Sequence, residues 1–302
     1  MSISQMRLSA IAITSLLATF VHDITTWQSA VLSIGFGHYL LSAWYARSKF
    51  AKVATNWNTA IPMAATVVVG AVLYLGSFPL IIYFAVHHVI NEVYLGTESL
   101  KQLNANQQRQ FRAIAIPLQT LLYFCLLRSD PELAYLNGNV LLVSLAIAYV
   151  CYFAFLLRLR KYLRGRDLLE LATFEIVGLC ILAVSFVIEI RFLDIVCYHF
   201  VFWWFYPAAK LAAKQGGAVR HYAVQTGLLI GASFLLSPAG LIGDYPFRES
   251  VYLKQFILWS HIHITSSFFL SAAHPAWITR WFTPRTSVAR PTTVLARPDL
   301  ST

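Results

Sequence analysis

Long apolar blocks follow one another along almost the whole chain, separated by short polar stretches that hold most of the charge. Within each block the apolar positions are continuous, so the pattern favours helices over the alternating ten-residue segments of a transmembrane barrel. The block lengths also suit a bilayer, because about 20 helical residues at 1.5 Å rise cross a hydrocarbon core of about 30 Å. In that medium only helices and closed barrels satisfy every backbone N–H and C=O. Division at the polar breaks predicts ten spans, at 8–22, 29–46, 59–77, 79–96, 112–128, 139–157, 168–188, 194–210, 222–241 and 251–274. The first follows Arg7 and ends in "TFVHD"; it also resembles a signal-peptide core, but no small-x-small cleavage site precedes the next span. The chain therefore reads as one transmembrane helical domain over 1–282, with a polar, disordered cytoplasmic tail at 283–302.

Composition strengthens this picture. Of 302 residues 58% are hydrophobic and only 12% charged, where a soluble domain carries about 25% charged. Mean hydropathy is +0.62. The predicted fold class is all-α, a polytopic integral-membrane helical bundle of about ten transmembrane helices. Of the 23 lysines and arginines, nineteen fall in Arg7, the 47–52, 101–112, 158–166 and 210–220 loops and the tail. Arg128, Arg191, Arg248 and Lys254 fall in the opposite loops. That split alternates through all ten spans and predicts an N-in, C-in orientation, in a bacterial inner (cytoplasmic) membrane. It also accounts for the net charge of +10 without a nucleic-acid partner. The "RLRKYLRGR" loop at 158–166 is suited to anionic headgroups of membrane lipids.

Chemistry-bearing residues are few. Cys125, Cys151, Cys180 and Cys197 lie inside predicted spans without CxxC spacing and read as small apolar residues. No phosphate-loop, dinucleotide or serine-elbow motif has a strand to stand on. Nine histidines remain. His22 and His221 fall at span ends, and His274 opens "HPAW" at the end of the last span. His38, His87, His88, His199, His261 and His263 fall within spans 2, 4, 8 and 10, which all run in the same direction. Most of them lie roughly 8–15 Å from the outer end, counted at 1.5 Å per residue. One buried histidine is commonly a hydrogen-bonded core residue, but six at comparable depth on four helices each carry a desolvation cost. Intramembrane ionisable groups face the bundle interior and mark sites or proton paths, and a shared metal accounts for the whole set, since neutral imidazole is a common ligand.

Helical geometry refines the candidate metal set of His38, His87, His88, Glu92, His199, His261 and His263. In "HHVINE" (87–92), Glu92 lies on the same face as His88, one turn further on. The alternative for Glu92 is to reach the cytoplasmic surface and pair with Lys101 or Arg109. His261 and His263 are about 200° apart on an unbroken helix, so only one of them faces inward. Glu175, well inside span 7, is a candidate partner for a ligand's ring N–H. Trp27, Trp44, Trp57, Trp203, Trp204, Trp277 and Trp281 sit at span ends, as interfacial belts do. "GHYLLSAWYAR" (37–47) and "YHFVFWWFYPAAK" (198–210) each place a histidine before tryptophan and tyrosine, with a histidine pair two spans later. The repetition points to pseudo-symmetric halves meeting at the site.

The dispersed His38, His87, His88, His199, His261 and His263 resemble the organisation of histidine-rich polytopic membrane iron oxygenases, in the style of the Brp/Blh-type carotene dioxygenases. The fatty-acyl desaturase group differs, since its HxxxH and HxxHH clusters are absent here. The resemblance implies non-haem iron, dioxygen, a hydrophobic lipid- or isoprenoid-like small-molecule substrate and an electron-donor protein. Two other readings stay open. One is a haem-binding electron-transfer or haem-modifying protein with axial histidine pairs. The other is a proton- or metal-coupled transporter, to be marked by helices broken at mid-membrane.

Overall fold

A computed structural model describes residues 2–54, 57–98, 100, 102–212, 216–240 and 249–270. The tail at 283–302, together with His274, Trp277 and Trp281, lies outside the described residues. The architecture is an all-α bundle. Its helices are α1 (Ile3–Phe20), α2 (Ile24–Ala54), α3 (Trp57–Leu75), α4 (Leu80–Glu98) and α5 (Ala105–Leu126). They continue as α6 (Gly138–Leu159), α7 (Gly165–Val184), α8 (Phe192–Ala212), α9 (Gly216–Leu235) and α10 (Glu249–Leu270). No strand occurs among the described residues. Each of the ten predicted apolar blocks is a helix. Two of the described helices, Ile3–Phe20 and Gly138–Leu159, are long and apolar enough to cross a membrane by length and composition.

Helix boundaries follow capping chemistry as well as apolarity. Ser2 and Gln5 form a capping box that starts α1 five residues before the predicted span, and Asn104 with Gln107 starts α5 seven residues early. In each, two orphan N–H groups of the first turn are satisfied reciprocally. Asp23 accepts from the Thr26 N–H at 2.6 Å at the start of α2. Hydrogen bonds from Thr26 hold that exposed carboxyl below the usual carboxylate range. Between α3 and α4 the chain turns at Gly76–Ser77, where Ser77 takes a left-handed φ of 52°.

Two apolar cores share α4. Phe84, Ala85 and Ile90 join Trp27, Phe200, Phe202, Phe256 and Ile264 in one. Val89 and Val93, on the other side of α4, join Leu118, Leu145 and Tyr152 from α5 and α6 in the second. Burial of a large aliphatic or aromatic side chain contributes about 1.5–3 kcal/mol, so this double use of α4 anchors it firmly. Small residues set the closest helix approaches. A Cβ on Gly35 of α2 would lie 2.5 Å from Phe256 Cε2 and 2.7 Å from Phe200 Cε2. A Cβ on Gly70 of α3 would lie 2.9 Å from Ile262 Cα and 3.0 Å from the His261 carbonyl oxygen.

Two side chains differ from their sequence reading. Trp27, expected in an interfacial belt, is fully buried and donates from Nε1 to Asp194 Oδ1 at 2.9 Å. Asp194 is held in turn by Arg191 at 3.1 Å, so the indole completes a polar link between α2 and the start of α8. Arg7, counted with the loop charges, lies inside α1 and is only 4% exposed. Its burial is explained by its ion-pair partner, Glu92 of α4.

Candidate functional site

Four helices bring five imidazoles together. His38 from α2, His87 and His88 from α4, His199 from α8 and His263 from α10 are neighbours, with ring centroids 4.9–6.2 Å apart in the pairs that touch. Two pairs meet nitrogen to nitrogen. His38 Nε2 lies 3.3 Å from His263 Nε2, and His88 Nδ1 lies 3.3 Å from His199 Nδ1. His87 sits between the pairs, its ring centroid 5.1 Å from that of His199 and 5.8 Å from that of His263.

In the sequence repetition His38 corresponds to His199 and the α10 histidine pair to the α4 pair; His38 meets His263 across α2 and α10, and His199 meets His88 across α8 and α4. The nitrogens used differ, Nε2 in the first pair and Nδ1 in the second.

Aromatic and hydroxyl side chains hold the rings. Phe84 stacks on His88 one turn away, at 5.6 Å and 8°. Phe200 and Trp203 flank His38 at 5.3 and 6.5 Å. Tyr39 lies against His263 at 4.7 Å, with its hydroxyl tied to Ser260 Oγ at 2.7 Å. His87 Nδ1 contacts Ser267 Oγ at 2.9 Å, and Asn91 Nδ2 reaches His87 Nε2 at 3.1 Å. Ser267 and Asn91 were not singled out in the sequence. Asn91 follows His87 by one helical turn, a spacing that does signal a shared face. Ser267 lies 180 residues from His87, and no local pattern carries it.

The other candidates sit elsewhere. His261 is turned away from the cluster, with Nδ1 2.8 Å from the Ile257 carbonyl and Nε2 3.1 Å from the Phe78 carbonyl. It stacks on Tyr83 at 5.7 Å and ties α10 to the turn at Ser77. Glu92 pairs with Arg7: Nε and Oε2 lie 2.5 Å apart, and a guanidinium N–H also reaches the Glu92 carbonyl. The Arg7 Nε and Glu92 Oε2 face each other as an ion pair without hydrogen-bond alignment. The Tyr198 hydroxyl donates to Glu92 Oε1 at 3.3 Å. Arg109 instead donates from Nη2 to Asn106 Oδ1 at 3.0 Å, and Lys101 lies outside the described residues. Arg7 also lies over the Phe174 ring at 4.8 Å and against Gly96, where a Cβ would approach the guanidinium to 3.2 Å. Glu175 accepts from Gln119 Nε2 at 2.8 and 3.0 Å, across α5 and α7. It too is outside the imidazole cluster. His22 and His221 are exposed, and all four cysteines are free.

The donor chemistry bears on a metal. Ligand nitrogens about 2.0–2.1 Å from one ion and 3.3 Å apart subtend about 107°, close to tetrahedral. Each pair thus has the spacing of two ligands on one centre. Among the described residues, however, no three His, Cys, Asp or Glu side chains form a closed metal-holding group. Two-point spacing is present in each pair.

Beside the cluster is a partly open cavity of about 140 Å³ whose wall includes His88, Glu92, Leu122, Phe174, Ile181 and Tyr198. His88 belongs to both the cluster and this wall. No protein-family model, curated protein or solved structure matches the chain.

Proposed function

We propose that this chain is a polytopic integral-membrane protein whose histidine cluster holds non-haem iron and oxidises a hydrophobic, lipid- or isoprenoid-like substrate. The observation that carries this reading is the convergence of His38, His87, His88, His199 and His263 from four helices, with two nitrogen pairs at ligand spacing. Imidazole-rich donor sets with open positions suit iron(II), and the bound ion would supply dioxygen activation. The chain's own part is to hold and orient. Ser267 and Asn91 fix the His87 ring, Phe84 and Phe200 press on His88 and His38, and apolar neighbours keep water out. An electron-donor protein would supply the reducing equivalents.

The membrane reading has its own support. Val140, Val143, Ile147, Val150 and Leu157 run exposed along α6, and Val67, Val68, Val72 and Leu75 along α3. A helix facing water places polar residues on that side, and contiguous exposed apolar surface marks a membrane or partner contact. Reporter fusions after Arg166 and after Asn137 test it. The first is expected in the cytoplasm and the second outside; both on one side would refute the alternating topology.

The haem alternative, with His38 and His87 or His88 as one axial pair and His199 and His261 or His263 as the other, fits less well, because His38 faces His263 and His199 faces His88 at 3.3 Å, and His261 is turned away. A transporter site of the broken-helix kind also fits poorly, since α2, α4, α8 and α10 run unbroken past their histidines. Elemental analysis and an absorption spectrum of the purified protein in detergent decide among them. Near-stoichiometric iron without a Soret band is expected. A Soret band would establish haem instead, and a protein that takes up no metal would refute the metalloenzyme reading.

A further inference from the structure

The cavity beside His88 is walled by α1, α4, α5, α7 and α8, and its one exposed lining residue, Ser15 of α1, marks an opening on the side where α1 meets α7. Ile11 and Ser15 of α1 and Phe174, Gly178 and Ile181 of α7 line that side, and all are partly or fully exposed. Just outside, Leu16 and Ile176 are 57% and 52% exposed, so the approach to the opening is itself apolar. At the closed end lie Leu122, Tyr123 and His88. His88 is the one side chain that belongs both to this wall and to the imidazole cluster.

Apart from Ser15 at the opening, the polar side chains of the wall are already engaged within the protein. Tyr198 donates to Glu92, Gln119 to Glu175, Tyr123 to the Ile81 carbonyl at 2.9 Å, and Thr14 to Cys197. Glu92 is paired with Arg7, and Asp194 pairs with Arg191 and accepts from the Trp27 indole N–H. Beyond Ser15, an incoming hydroxyl or carboxylate would compete with these contacts, whereas a hydrocarbon disturbs none. Size narrows the class further. A volume of about 140 Å³ is close to the ~150 Å³ apolar cavity that takes up a benzene molecule. It therefore holds a segment of about five to six carbons and no more.

We infer that this cavity binds the apolar end of a longer hydrocarbon, one isoprene-sized or ring-sized unit, which enters sideways between α1 and α7 and stops against His88. The remainder of the molecule extends out through the α1–α7 opening along the exposed apolar surface. The inference deepens the proposed function by naming what the site takes, and it rests on that reading only for what happens to the bound end. Occupancy of the cavity is measurable without metal.

The test uses the full chain, stripped of metal with a chelator, in phosphatidylcholine vesicles. The photoprobe is 3-trifluoromethyl-3-phenyldiazirine, a ring-sized apolar molecule, and labelled residues are located by peptide mass spectrometry. Saturable labelling of Leu122 or Tyr198 is expected, displaced by excess squalene and lost in Ser15→Trp and Ile181→Trp, which plug the opening. Ser15 is exposed, so its replacement leaves the core intact, and unchanged helical content verifies folding. Labelling seen in detergent but suppressed in vesicles would assign the pocket to a lipid acyl chain, which supports the same hydrocarbon chemistry from the other source. Labelling confined to outward residues such as Leu16 and Val143, or unaffected by both tryptophan variants, overturns the inference. Because the protein is metal-free throughout, neither result depends on whether the cluster binds iron.

Discussion

Alanine at His38, His88, His199 or His263 should abolish metal retention, whereas His22→Ala, His221→Ala and His261→Ala should leave metal content near that of the unaltered protein. The first four supply the two nitrogen pairs, each 3.3 Å apart. Removal of one member leaves its partner as an isolated donor, and the loss should exceed the roughly 10–100-fold typical when a ligand's supporting partner is lost. His22 and His221 are exposed, and the His261 ring contacts two backbone carbonyls instead of the cluster. His261→Ala should instead loosen the turn at Ser77 and show itself in stability. Metal per chain by elemental analysis is the measurement. Equal metal content across all seven variants would mean that the cluster is a packed aromatic core and no metal centre.

The second large effect concerns Arg7 and Glu92, whose side chains are 5% and 4% exposed. Arg7→Met leaves the Glu92 carboxylate buried without its counter-charge, and Glu92→Gln does the same to the guanidinium. Breaking a buried pair from one side costs about 3–5 kcal/mol, while replacing both partners with apolar groups is often neutral. Thermal unfolding in detergent should therefore fall sharply for either single variant and recover in Arg7→Met/Glu92→Leu. A double variant as unstable as the singles would show that the pair does more than neutralise itself. Metal content of Glu92→Gln separates its two roles. Retention within a few-fold assigns Glu92 to Arg7, and a loss of about 10–100-fold returns it to the histidines as a supporting partner.

The pattern of apolar blocks was enough to locate all ten helices, because helix formation in such blocks depends on local hydrogen bonding and apolarity. Boundaries were less legible where capping set them: α5 begins at Ala105 because Asn104 and Gln107 close a capping box, in a stretch too polar to read as part of an apolar block. The histidines also announced themselves. Ionisable side chains on apolar helices are conspicuous at any distance from their partners, and five of the six named in the sequence meet in space.

What the sequence could not decide was rotation and pairing. His261 and His263 are equivalent on α10 taken alone. Gly70 breaks the tie by letting the α3 backbone press against Ile262 and the His261 carbonyl. That contact turns the 261–262 side of α10 toward α3 and leaves His263, about 200° from His261 and about 100° from Ile262, facing α2 and the other imidazoles. Glu92 shows the same limit. Its position one turn after His88 made a shared role with the histidines natural, yet its charge partner comes from Arg7, 85 residues earlier in the chain. Arg7 counted correctly as a basic residue near the N-terminus, but nothing local marks it as buried. Helical period and apolarity are properties of a segment and are written in it. The choice of which face meets which neighbour is made by glycine-sized gaps and by charge pairs between distant segments, and only the assembled bundle contains those.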